Sequence, residues 1–212
     1  KMSKRLGNAV DPFLMLEKYG ADATRWYMIT NAQPWDNLRF DEEGIQEVQR
    51  KFFGTLYNTY SFFALYANID GFKFDNTPIE ISARPEIDRW IMSKLHSLIA
   101  DVDRAYEEYE PTRAGRLIQN FVTEELSNWY VRLSRRRFWK GDFSTDKQSA
   151  YQTLYTCLKT ISVLSAPIAP FYMDRLYRDL NAVTQKSKED SVHLTSFPDV
   201  DESAIDKDLE ER

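Results

Sequence analysis

Lys1-Met2-Ser3-Lys4-Arg5-Leu6-Gly7-Asn8 gathers three cations, a hydroxyl and a permissive glycine into eight residues. Two ammoniums three positions apart on such a loop suit transient neutralisation of a polyphosphate leaving group, whose charge develops most in the transition state. Taken alone, so short a stretch is more simply a solvated basic segment.

A second constellation lies near the middle of the chain. Trp129, Tyr130, Arg132, Arg135, Arg136, Arg137, Phe138, Trp139 and Lys140 interleave rings with cations. Single-stranded RNA loops are gripped in this way, with splayed bases stacked on rings and guanidinium planes while charges hold phosphates. The formal charge of −5 argues against nucleic acid until its distribution is read. Glu189 to Arg212 carries nine acidic and two basic residues, whereas Pro111 to Lys140 carries seven basic and two acidic. That local excess of positive charge is a field a phosphate backbone responds to.

Composition closes other routes. With 42% hydrophobic, 14% aromatic and 29% charged residues, the 212-residue chain reads as soluble and globular. It has no apolar run near the ~20 residues of a membrane span, and no signal peptide is expected. Cys157 is the one cysteine, so no intrachain disulfide exists, and a reducing, cytoplasmic setting is expected. His96 and His193 with one cysteine cannot assemble a Cys/His zinc site, and no metal ligands are assigned. Seven dispersed glycines leave no phosphate-cradling loop, so the chain lacks a whole nucleotide site.

The elements that position these residues follow from caps and periodicity. Asp11-Pro12 opens a helix that Gly20 stops, and a second short helix runs from Asp22, its cap, to about Ile29. After a loop over 31–40, Asp41 caps a long helix whose stripe is Ile45, Val48, Phe52, Leu56, Tyr60, Phe63 and Tyr66. A third long helix opens at Pro85, with Ile91, Leu95, Leu98 and Val102 on one face. Pro111 starts a fourth, with Ile118, Val122, Leu126, Trp129 and Leu133 in register, so Trp129 and Leu133 are expected in the core. Phe138 and Trp139 stay open between core and surface. A straight helix puts Arg136 about five turns from Ile118, so either the helix ends or bends first, or Arg136 is partly buried and paired. Arg132 and Arg135 point away from the stripe. Further helices cover about Lys147–Ser165 and Phe171–Leu180, Val192–Leu194 reads as a short strand, and the acidic tail beyond Pro198 is expected to be disordered. His96 reads as a boundary-layer histidine, and Glu107-Glu108 and Glu124-Glu125 as solvated faces. The fold class is mainly α, a helical bundle.

Lys1–Asn8, then Val10-Asp-Pro12, Tyr19-Gly-Ala-Asp22, Arg25-Trp-Tyr27, Pro34-Trp35 and Leu38-Arg-Phe40 together resemble the class I aminoacyl-tRNA synthetases. The likeness continues through Arg89-Trp-Ile91, Ser127-Asn-Trp-Tyr-Val-Arg132, Ser134-Arg-Arg-Arg-Phe-Trp-Lys140, Ala166-Pro-Ile-Ala-Pro-Phe171 and Ser191-Val-His-Leu194, closest to the isoleucyl branch. The valyl or leucyl branch is the near alternative, and a helical interaction module without RNA activity the distant one.

The resemblance implies an enzyme that activates isoleucine with ATP and Mg and transfers it to its tRNA. Lys1 and Lys4 would be catalytic, and Lys1, Met2, Ser3 and Lys4 would contact ATP. Arg25, Arg132, Arg135, Arg136, Arg137, Trp139 and Lys140 would contact tRNA. Arg5 stands where the family's loop has a serine, adding a charge where a small hydroxyl is usual. The family's His-Ile-Gly-His motif and nucleotide-binding sheet are absent from these residues. The chain is therefore expected to be an inactive fragment that binds no cofactor on its own. Residues 1–83 would hold the loop, a small α-rich stem-contact region and a connecting helix, 84–180 the anticodon-binding bundle, and 181–212 the extension.

Overall fold

Proline, aspartate and glycine punctuate the chain where the sequence places them. The computed structural model describes residue 5 and residues 9–74 and 77–211. Helix α1 (Pro12–Tyr19) begins where the Asp11 carboxylate accepts from the Phe13 N–H at 2.9 Å, and Pro12 needs no partner for a missing N–H. It ends at Gly20, φ 81°, whose N–H bonds to Leu16. Helix α2 (Ala21–Asn31) follows at once. Asp22 does not cap it: its carboxylate accepts the N–H groups of Phe171 (3.5 Å) and Tyr172 (2.5 Å) in the first turn of α9 (Pro170–Thr184). The residue does capping chemistry, on a helix 150 positions away.

One rod runs from α3 (Glu42–Val48) through a π-helical stretch, Gln49–Phe53, into α4 (Gly54–Asp70). Asp41 caps its start, and Gly71, φ 67°, stops it in the left-handed region that glycine tolerates. Helix α5 (Glu86–Glu107) crosses a second composite rod built from α6 (Pro111–Asn120), a π-helical stretch Phe121–Val131 and α7 (Arg132–Trp139). Helix α8 (Thr145–Ser165) is capped by Ser144 and buries 14 of its 21 residues, so it is the central helix that the others cover.

The core is aromatic and continuous from α2 to Val192. Trp26 stacks on Phe52 at 4.1 Å, joining α2 to the first rod, and Phe72 stacks on Tyr151 at 4.9 Å, joining the end of that rod to α8. Where α2 crosses α6, Gly115 lets the backbones close in: a Cβ there would lie 2.6 Å from the Thr30 methyl. A smaller cluster of Met15, Tyr19, Ala23, Tyr27 and Ile45 lies under α1.

Two expectations are overturned after α9. Val192–Leu194 is a 3₁₀ turn capped by Ser191, and no strand forms among the described residues. The acidic tail is ordered: a 3₁₀ turn (Glu202–Ala204) and α10 (Lys207–Glu210) lie against α5. Ala204 and Leu209 are buried, and the Glu210 carboxylate accepts the hydroxyls of Ser93 (2.6 Å) and Ser97 (2.7 Å). Charge counting alone missed these apolar anchors and hydroxyl donors. Among the described residues no helix is long and apolar enough to cross a membrane.

Candidate RNA-binding surface

The π-helical stretch decides which residues of the second rod reach solvent. Its i→i+5 bonding widens each turn, so the inward face recurs every four residues instead of drifting round the helix. Ile118, Val122, Leu126, Tyr130, Ser134 and Phe138 are accordingly all buried. Trp129 and Leu133, expected in the core, are each 58% exposed. Phe138 packs inward against Tyr151, while Trp139 is 57% exposed. The same shift moves the buried arginine by one place, leaving Arg136 exposed and turning Arg137 inward.

Arg137 is therefore no free RNA ligand. Its Nη1 and Nη2 donate to Asp88 Oδ1 and Oδ2 at 2.6 and 2.8 Å, Nη2 also reaches the Asp146 carbonyl at 2.8 Å, and Nε lies 3.0 Å from Asp146 Oδ1. Burial opposes its charge, but the bonds to Asp88 outweigh it and raise the guanidinium pKa. Asp88, fully buried, also accepts from Tyr130 (2.8 Å) and Ser149 (2.5 Å). Burial, then the Asp88 charge, hold the Tyr130 phenol far above its ordinary pKa. A second buried pair sits beside the first. Lys147 Nζ meets Asp70 Oδ2 at 2.5 Å and donates to the Lys140 carbonyl at 2.6 Å. Together these bonds fix the turn from α7 into α8.

What remains outside is a narrow basic and aromatic surface. Of the seven cations between Pro111 and Lys140, Arg113 pairs with Glu108 and Glu110, and Arg116 donates to the Thr30 and Asn31 carbonyls at the end of α2. Arg132, Arg135, Arg136 and Lys140 are exposed beside Trp129, Leu133 and Trp139, and among the described residues none of the four is in an ion pair. Free positive charge thus concentrates at α7, next to exposed indoles.

Other expected site residues fall elsewhere. Arg25 donates through Nε to the Ile168 carbonyl (2.9 Å) and through Nη2 to that of Pro167 (3.1 Å), clamping α2 to the turn before α9. Lys1, Met2, Ser3 and Lys4 lie outside the described residues. Glu125 is half-buried rather than solvated, and burial raises its pKa. His96 does sit at the boundary, its Nδ1 accepting from the Asp201 N–H at 3.1 Å. Among the described residues no cluster of three or more His, Cys, Asp or Glu side chains could hold a metal. Sequence reasoning missed Asp88, Asp146 and Lys147 as supports and Trp129 as a surface ring. The four-residue recurrence from Ile118 to Phe138 was the available signal.

Residues 88–212, more than half of the chain, match the anticodon-binding domain of tRNA ligases. The chain belongs to that anticodon-binding family. Residues 1–41 match the class I tRNA synthetases for I, L, M and V. Isoleucine–tRNA ligase of Bacteroides fragilis is 65% identical over 210 residues, 99% of this chain and 18% of that protein. The Cytophaga hutchinsonii isoleucine–tRNA ligase is 65% identical over 212 residues, 100% of this chain and 19% of its own length. That of Dehalococcoides mccartyi is 51% identical over 213 residues, 99% of this chain and 20% of its own length. The chain thus spans about a fifth of these relatives, and the resemblance to the isoleucyl branch is borne out. A ternary complex of Agrobacterium radiobacter K84 agnB2 LeuRS, tRNA and LeuAMS matches 97% of this chain and 23% of its own, with a TM-score of 0.68 at 20% identity. That likeness is one of fold, and it agrees with the helical architecture described above.

Proposed function

We propose that the chain is the tRNA-gripping part of an isoleucine–tRNA ligase, and that the end of its second rod receives the anticodon arm. The observation that carries this reading is the outward row of Trp129, Arg132, Arg136, Trp139 and Lys140, beside Arg135, on a helix end held by two buried ion pairs. Exposed indoles offer stacking platforms for splayed bases, and the unpaired cations beside them offer phosphate contacts. Residues 1–83 would meet the inner stem, with Arg25 presenting the rest of its guanidinium to the inner corner, and 84–180 the anticodon arm. Family membership supports tRNA as the partner, and the named relatives support the isoleucine-specific one.

The intact protein would work in the cytoplasm, activating isoleucine with ATP and Mg and transferring it to tRNA. Lys1 and Lys4 would there neutralise the departing pyrophosphate, with Met2 and Ser3 at the nucleotide. The test is titration of a fluorescent isoleucine tRNA transcript at several salt concentrations. Replacing Arg132, Arg135 and Arg136 with Ala should weaken binding and flatten the salt dependence by about 0.7–0.9 in slope for each phosphate these side chains neutralise. Full affinity in the folded triple variant would overturn the location. Equal affinity for an unrelated acidic polymer, abolished by modest salt, would favour a non-RNA interaction module.

A further inference from the structure

A cavity of about 500 Å³ opens on the flank of the bundle between the middle of α8, the chain just past α9, and the segments around Phe74 and Thr195–Pro198. Its size falls within the range of small-ligand sites, ~300–1,000 Å³. No residue of α7 lines it, so it is separate from the surface described above.

Its walls divide by chemistry. Thr156, Lys159, Thr160 and Val163 are spaced three and four apart and share one face of α8, directed into the cavity. Lys186 faces them from just beyond α9, its ammonium 5.2 Å from the centre of the Phe74 ring. Thr156 and Thr195 spend their hydroxyl protons on the Gln152 and Val192 carbonyls. Thr160 and Ser187 have hydroxyls with no hydrogen bond to a described residue, so both are free to donate to a ligand. Among the described residues of the lining, Glu189 is the one carboxylate, against two lysines.

Two further features mark the place. Lys159 is half-buried, and burial lowers its pKa while Glu189 opposes that only from a distance. An anion would restore what the ammonium loses on leaving water. Phe74 holds a left-handed backbone, φ 57°, which is costly for an aromatic residue and is kept only where surroundings enforce it. Its ring lies 5.2 Å from that of Tyr155, which is itself largely buried, and the two form the aromatic side of the cavity beside the lysines.

We propose that this cavity binds a nucleoside monophosphate unit, its phosphate between Lys159 and Lys186 with the Thr160 and Ser187 hydroxyls, its base against Phe74 and Tyr155. The unit comes either from an RNA strand or as a free nucleotide; both present the same phosphate and ring.

The test is calorimetric titration of the 212-residue chain with AMP, adenosine, inorganic phosphate and a short 5′-phosphorylated RNA. AMP should saturate one site and bind at least about tenfold tighter than adenosine or phosphate, since each offers half of the contacts. Lys159→Gln and Lys186→Gln should each weaken AMP by about tenfold or more, the loss expected for a charge-assisted hydrogen bond. Lys186 is exposed, so its variant reports on binding without loss of fold. RNA tighter than AMP, and sensitive to the same lysines, assigns the site to a strand; the reverse order assigns it to a free nucleotide. Absent or unsaturable AMP binding, indifference to both lysine variants, or phosphate binding as tightly as AMP would each overturn the proposal. Arg136→Ala should leave AMP binding unchanged, which keeps this outcome independent of where tRNA docks.

Discussion

Arg137 and Asp88 meet through two parallel hydrogen bonds of 2.6 and 2.8 Å, and the carboxylate that receives them is wholly buried. The pair joins the start of α5 to the last turn of α7, and its neighbours Arg136 and Trp139 are fixed in direction as a result. A planar guanidinium and a carboxylate match in two bonds at once, which a lysine cannot reproduce. The arginine run is thus divided in labour: one member anchors the helix end, and the others stay free at its surface.

Breaking that anchor from one side leaves a buried charge unpaired. Arg137→Ala should destabilise the fold by ~3–5 kcal/mol, the usual result when one partner of a buried pair is removed. Urea unfolding measures it. Asp88→Asn, which keeps its volume but loses the charge, should weaken RNA binding while leaving the salt slope unchanged, because the Arg137 guanidinium is turned inward to Asp88 and Asp146. A shallower slope in that variant would mean Arg137 does contact the backbone of RNA.

Gly115 offers a test of the α2–α6 crossing. An added methyl would meet Thr30 Cγ2 at 2.6 Å and Ile168 Cδ1 at 3.3 Å, and the short Thr30 side chain, its hydroxyl bonded to the Trp26 carbonyl, is not the loose end of a flexible chain. Gly115→Ala should therefore cost ~1–3 kcal/mol by overpacking, despite alanine's better helix propensity. A variant as stable as the parent by thermal unfolding would show that the two helices can part freely.

The tail should respond to pH through His96. Burial lowers its pKa below 6.5, Asp201 pulling the other way, and its neutral Nδ1 accepts the Asp201 N–H. A base whose folded pKa is depressed binds protons more readily when exposed, so the docked tail loses stability as pH falls through and below 6.5. Amides from Ala204 to Glu210 should exchange faster at pH 5.5 than at 7.5 after correction for intrinsic rates. His96→Gln, which keeps an acceptor and cannot titrate, should remove that difference.

The helix boundaries at Asp11-Pro12, Gly20 and Asp41 were legible because their signals are local, each acting within a turn of itself. The register beyond Leu126 was not, because extrapolating 3.6 residues per turn assumes a bonding pattern that the stretch Phe121–Val131 does not keep. That one shift misplaced Trp129 and Leu133 into the core and puts the buried, paired arginine at 137, where the straight-helix alternative had it at 136. The tail failed for another reason. Its order rests on Ala204, Leu209 and two serines of α5 more than a hundred positions away, which no count of its own charges reveals.

The register shift has a measurable consequence in adjacent residues. Phe138 is buried among Phe62, Tyr66 and Tyr151, so Phe138→Ala should cost ~3–5 kcal/mol of stability by opening a cavity. Trp129 and Trp139 cover no comparable core surface, and their replacement by Ala should alter stability by no more than ~0.5 kcal/mol. If the two indoles stack on bases, each substitution should instead weaken tRNA binding by ~1–3 kcal/mol with the salt slope little changed. Arg132→Ala should do the reverse, lowering the slope because a charge contact releases counterions and a stacking contact does not. Measuring melting temperature, affinity and salt slope on the same four variants separates core, stacking and phosphate roles. Trp129→Ala with parental affinity would remove it from the RNA surface, and one that melts early would return it to the core.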